Sequence, residues 1–221
     1  MEDNTAKGML TVLNVILFTV PLVAILFSTI YIYNSAEFIE LLVSQPIKRS
    51  KIWISLFISL MLSLVISFFV GSGIPLMIYA PNFNGLMMLI IGLLITAIFV
   101  SLAFFSAIFN RDKARGIGTS IVIWLFFALI FDGLILFLLF QFSDYPIEKP
   151  MIFVTSMSPI DLARIQMLLH LDASAMMGYT GALFKEYFGN GIGIAVSLFL
   201  LVLWVIIPFL ISLRKFKTKD L

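Results

Sequence analysis

Five stretches of this chain run for more than twenty residues with one charged side chain, Asp132, among them all: Leu10 to Tyr33, Ile52 to Tyr79, Gly85 to Phe109, Ile117 to Gln141 and Gly191 to Leu213. An α-helix rises 1.5 Å per residue, so about 20 apolar residues cross roughly 30 Å of hydrocarbon. Each stretch therefore predicts one membrane-spanning helix, because backbone polar groups without water must bond within their own segment. Strands of an outer-membrane barrel would alternate apolar and polar positions over about ten residues, and these runs are continuous. The expected fold is all-α, a polytopic helix bundle forming a single transmembrane domain over residues 1–221. Hydrophobic residues make up 62% of the chain and charged residues 12%, half the share of about 25% usual in soluble domains.

Charge then sets orientation. Three alternate connections hold most of the Lys and Arg: Lys48, Arg49 and Lys51; Arg111, Lys113 and Arg115; Arg214, Lys215, Lys217 and Lys219. The other side has Lys7, Lys149, Arg164 and Lys185. The positive-inside rule makes the basic side cytoplasmic, with the N-terminus outside and the tail inside. Basic residues spread over short loops in this way do not form a nucleic-acid surface, which needs them on one soluble face. Met1 to Lys7 is acidic and polar, and the first apolar run exceeds the length of a cleaved leader, so the first helix is expected to stay.

Little catalytic chemistry is available. Cysteine is absent and His170 is the single histidine, which excludes thiolate sites, His-based metal clusters and a Ser-His-Asp triad within one chain. There is no His-Glu-x-x-His and no phosphate-binding Gly-x-x-x-x-Gly-Lys-Ser/Thr loop. Eleven Met residues lie scattered along the chain, with Met61, Met77, Met87 and Met88 inside the apolar spans, a distribution that fits packing better than metal ligation. The chain is therefore expected to be no enzyme, with no catalytic residue, no metal and no cofactor of its own.

The connections carry more. Asn34 followed by Glu37 and an apolar run, stopped at Pro46, predicts a short amphipathic helix over 35–45 that either lies on the membrane face or docks a partner protein. Ser55, Ser59, Ser63, Ser67 and Gly71 recur every four residues along the second span, a small-residue row suited to close helix packing or to a polar translocation route. Gly73 and Pro75 then predict a bend or frayed end. Asp132 lies about 22 Å from the start of its span, in the outer half of the bilayer, where a carboxylate must face the bundle interior or a wet cavity. Residues 142–190 form the one sizeable extramembrane segment. In it Ser158-Pro159-Ile160-Asp161 reads as a helix start, Asp161 and Arg164 can pair at i, i+3, and Gly178 and Gly181 break the pattern. A lid of short helices on the outer surface is expected.

The stretch Glu37-Phe38-Ile39-Glu40-Leu41-Leu42-Val43-Ser44-Gln45-Pro46-Ile47-Lys48-Arg49 resembles the Glu-x-x-Leu-Leu-Leu-x-Gln-Pro-(Ile/Val)-x-Arg segment of type-2 ABC transporter permeases. Ser158-Pro159-Ile160-Asp161-Leu162-Ala163-Arg164 and Gly178-Tyr179-Thr180-Gly181-Ala182 resemble segments of one branch, the NosY-type permeases of nitrous oxide reductase maturation. Phe131-Asp132 is similar to an aromatic-Asp pair there, whereas Ser158 replaces the more usual Asn. The likeness runs from about Leu10 to the tail. Members of the family usually have six spans, and the first span here matches their second.

The resemblance implies a homodimeric permease in a bacterial inner membrane, driven by a separate ATP-binding subunit that holds ATP and Mg. It implies ATPase coupling through Glu37, Glu40, Leu41, Gln45, Pro46, Lys48 and Arg49. It also implies a periplasmic maturation protein facing Pro159, Asp161, Arg164, Gly178 and Gly181, and a role in copper-site assembly during denitrification. Another ABC-2 exporter, of lipid, drug or ion, and a non-transporting membrane scaffold are the alternatives.

Overall fold

The computed structural model describes residues 2–142, 148–170 and 191–218. These residues hold ten α-helices in chain order: α1 (Glu2–Asn34), α2 (Ala36–Val43), α3 (Arg49–Phe68), α4 (Ile74–Tyr79), α5 (Phe83–Phe109), α6 (Lys113–Leu125), α7 (Phe131–Gln141), α8 (Glu148–Ser156), α9 (Pro159–His170) and α10 (Gly191–Thr218). Among the described residues five helical stretches are long and apolar enough to cross a membrane, Gly8–Asn34, Arg49–Tyr79, Phe83–Phe109, Lys113–Gln141 and Gly193–Thr218, each within a few residues of the apolar run that predicts it.

Two spans contain π turns that the apolar pattern does not announce. Phe69–Gly73 joins α3 to α4, and Phe126–Ile130 joins α6 to α7. The expected bend at Gly73 and Pro75 becomes this first π turn, and the helix continues to Tyr79. Pro75 has no N–H to give to the carbonyl of Gly71, and Gly71 already lies where the i to i−4 pattern is broken.

The middle of the bundle is α5. Its 27 residues carry no charge, and Met88, Ile91, Ile95, Ile98, Phe99, Val100, Ala103 and Phe104 are fully buried. A helix that is apolar all round belongs where every face has protein against it. Over its most apolar window it is 78% buried, against 11% for the fourth span, and α1, α3, α6, α9 and α10 surround it. Lipid tails are as apolar as Leu, so association here draws on close packing and interhelical hydrogen bonds. Both are present. A Cβ on Gly92 would collide with the Phe68 ring, and one on Gly116 with the Tyr33 ring, so these glycines set how closely α5 approaches α3 and α6 approaches α1. Hydroxyls clasp the helices at Thr29 Oγ1 to Ser120 Oγ (2.7 Å), Ser120 Oγ to Ser106 Oγ (3.1 Å) and Ser101 Oγ to the Val205 carbonyl (2.6 Å). Trp53 Nε1 donates to Ser212 Oγ at 2.8 Å while its ring stacks on Phe216 at 4.3 Å, tying α3 to α10.

The segment after α7 departs from expectation. α8 and α9 meet at 112°, and α9 is sunk into the bundle against α5, α10 and α1. Ile160, Leu162, Ala163, Gln166 and Met167 are each 1% exposed or less. The pair is a sharply bent one, with the geometry of a broken span or a re-entrant loop, in place of a lid on the surface. Apolar residues on both sides of α9 need more cover than one face of a surface helix receives, and Gln166 enters because Ser197 Oγ donates to its Oε1 at 2.6 Å. Gly178 and Gly181 lie outside the described residues.

Candidate functional site

All three basic connections lie at one end of the bundle. Tyr33 Oη donates to the Asn110 carbonyl at 3.0 Å, Lys113 Nζ donates to Asn34 Oδ1 at 2.7 Å, and Trp53 stacks on Phe216. Here α2 packs against α1 and α3. Asn34 is not its N-cap: α1 runs on through Asn34, with Ser35 N bonded to the Tyr31 carbonyl, and the chain turns at Ser35. Ile39 is the buried anchor of α2, with Leu42 and Val43 packed beside it. The opposite face presents Glu37, Phe38, Glu40 and Leu41, continued by Gln45, Pro46, Ile47 and Lys48; Phe38 and Leu41 are 61% and 65% exposed. Arg49 is half-buried and starts α3. Among the described residues Glu37, Glu40 and Lys48 form no salt bridge. An apolar pair flanked by unpaired charges of both signs is the composition of a partner-binding surface. Behind α2 a cleft of about 290 Å³ is lined by Tyr33, Glu40, Trp53, Asn110, Arg111 and Phe216.

Toward the other end the structure brings together three charges that the sequence separates. Asp132 begins the second residue of α7, just past the π turn, and Arg164 Nη1 reaches both its oxygens at 2.9 Å. The same nitrogen lies 3.3 Å from Asp161 Oδ1. Ser158 caps α9 as expected, accepting from Asp161 N at 3.2 Å. One nitrogen with two hydrogens thus faces three carboxylate oxygens, and the trio carries one excess negative charge. Asp161 Oδ2 and Arg164 Nε are buried with no partner. Side-chain exposure falls from 42% at Asp132 to 27% at Arg164 and 5% at Asp161. Pro159 and Asp161 are therefore inside the protomer and form no outward surface, so the expectation that they face a partner does not fit their burial.

The small-residue row falls elsewhere. Ser55, Ser59, Ser63, Ser67 and Gly71 are all exposed, and the space beside Gly71 is open. Among the described residues the row lies on the outer side of the bundle, with Ser67 at the edge of a cleft that α3 shares with Val20 and Val23 of α1 and Thr96 of α5. Sequence reasoning missed the hydroxyl clasps and the π turns; polar Thr29, Ser106 and Ser120 inside apolar runs were the available signal for the first.

The family described as ABC-2 family transporter protein matches this chain over residues 2–221. The chain belongs to that family. No curated protein matches it. As an ABC-2 permease it is a multi-pass membrane protein that works with an ABC ATP-binding subunit.

Proposed function

We propose that α2 and the turn after it couple an ATP-binding subunit to the bundle, and that the permease serves nitrous oxide reductase maturation. The observation carrying the first part is the exposed row Glu37, Phe38, Glu40, Leu41, Gln45 and Lys48 on a helix anchored by Ile39. Force on that row passes through Ile39 and Arg49 into α3. ATP and Mg then belong to the partner, and this chain performs no bond chemistry. The basic end faces the cytoplasm of a bacterial cell, with the N-terminus outside, and two copies assemble through lipid-facing surfaces such as the serine row. The second part rests on the outer-segment resemblance and on copper-site assembly as that branch's task. Exchanging Glu40 and Arg49 for Ala tests the coupling: the double variant should insert and bind the ATP-binding subunit yet no longer alter its hydrolysis rate. Unchanged stimulation would remove α2 from the pathway.

A second reading, export of another substrate by the same coupling, is favoured by the burial of Pro159 and Asp161, which takes these two residues out of the surface assigned to a periplasmic partner. Co-purification from native membranes separates the two. A periplasmic maturation protein recovered with the permease supports the first; recovery of the ATP-binding subunit alone, with that protein expressed, supports the second.

A further inference from the structure

A cleft of about 390 Å³ opens on the side of the bundle beside the charged trio, lined by Asn14, Val15 and Phe18 of α1, Ala128 of the π turn, and Ile160 and Arg164 of α9. Its volume falls in the range of about 300–1,000 Å³ typical of small-ligand sites. Two polar groups in it have unmet hydrogen-bonding capacity. Asn14 is exposed within the first span and its amide makes no hydrogen bond among the described residues. The bonds of Arg164 all leave from Nη1, so Nη2 also makes none. Asp132, 42% exposed, borders them through Arg164. Thr19 also lines it, its hydroxyl already donating to the Val15 carbonyl at 2.6 Å, and the rest of the wall is apolar, with Val15 and Phe18 54% and 43% exposed.

We propose that this cleft binds the headgroup of an outer-leaflet phospholipid that carries a primary ammonium. Phosphate oxygens accept from Arg164 Nη2 and the Asn14 amide, while the ammonium donates to Asp132, and one acyl chain lies along Val15 and Phe18. Charge selects the ammonium. The trio already holds two carboxylates for one guanidinium, so a purely anionic headgroup adds to an unpaired negative charge, whereas a zwitterionic one brings its own cation. A primary ammonium offers three N–H donors to Asp132 and a choline group offers none. The site holds whichever cargo the permease serves.

The test is native mass spectrometry of the detergent-purified permease titrated with phosphatidylethanolamine, phosphatidylcholine and phosphatidylglycerol. Phosphatidylethanolamine should be retained about tenfold more tightly than the other two, the ratio expected for one good charge-assisted contact. Asn14→Leu removes a donor and Ala128→Phe fills the cleft; both leave the salt bridge in place, and each should abolish the preference while the melting temperature without added lipid stays close to the parent's. Equal retention of all three lipids would mean annular lipid only and would overturn the proposal. So would an unchanged preference in both variants.

Discussion

Replacing Arg164 by Gln should destabilise the bundle far more than replacing either aspartate by Asn. Among the described residues Arg164 supplies the only positive charge to two carboxylates, one of them 5% exposed. Its removal leaves Asp161 unpaired in a low-dielectric interior, a change that costs about 3–5 kcal/mol in buried pairs. Asp132→Asn removes a partner that is 42% exposed and leaves Arg164 its contact with Asp161, so the loss should be nearer 1–2 kcal/mol, the scale of a single charge-assisted bond. Asp161→Asn takes away the excess negative charge and one claimant on Nη1, and should cost least, at about 1 kcal/mol or below. For a chain of this size each kcal/mol moves the midpoint by about 2–4 °C, so thermal unfolding in detergent should show losses of roughly 6–20 °C, 2–8 °C and under 4 °C in that order. Adding Asp161→Asn to Arg164→Gln should recover part of the loss, because the buried carboxylate left unpaired is then gone. If Asp161→Asn proves the worst of the three, or gives no recovery in the double variant, the reading of the trio as two carboxylates competing for one guanidinium is wrong.

Other outcomes follow from the packing. Gly92→Ala sets a methyl against the Phe68 ring and should cost about 1–3 kcal/mol, seen as a lower midpoint, whereas Gly71→Ala, which meets open space, should leave it unchanged. Trp53→Phe keeps the stack on Phe216 and loses the bond to Ser212, which still reaches the Phe104 carbonyl at 3.2 Å; about 1 kcal/mol is expected from the same melt. Ser59→Leu with Ser63→Leu changes only exposed positions, so the protomer should melt as before while self-association, read by size-exclusion with light scattering, weakens if the row is a contact between copies.

The spans were legible because lipid excludes unpaired charge from a crossing helix, and Ile52 to Tyr79 and Gly85 to Phe109 hold no charged residue. The inner position of α5 was not legible, since the five runs look equally apolar from the sequence and differ only in which neighbours they meet. Asp132 could be picked out as a charge needing a partner, but the partner lies 32 residues away on a helix whose burial the sequence does not state. Ser158 and Pro159 marked the start of α9 correctly; its depth escaped because a short apolar helix outside a span resembles a surface lid until its second face is counted. Asn34 misled for a local reason: Asn favours a cap, yet the helical bond from Ser35 to Tyr31 holds it in α1, and its side chain serves Lys113 instead.

The central claim, that the exposed face of α2 receives the ATP-binding subunit, is best tested by site-specific cross-linking, for which the absence of cysteine gives a clean background. Leu41→Cys and Phe38→Cys should each cross-link to the co-purified ATP-binding subunit, with Tyr79→Cys, exposed at the other end, as the control. The account predicts cross-links at the first two positions and none at Tyr79. A bound ATP-binding subunit that cross-links to neither α2 position, or that reaches Tyr79, would contradict it.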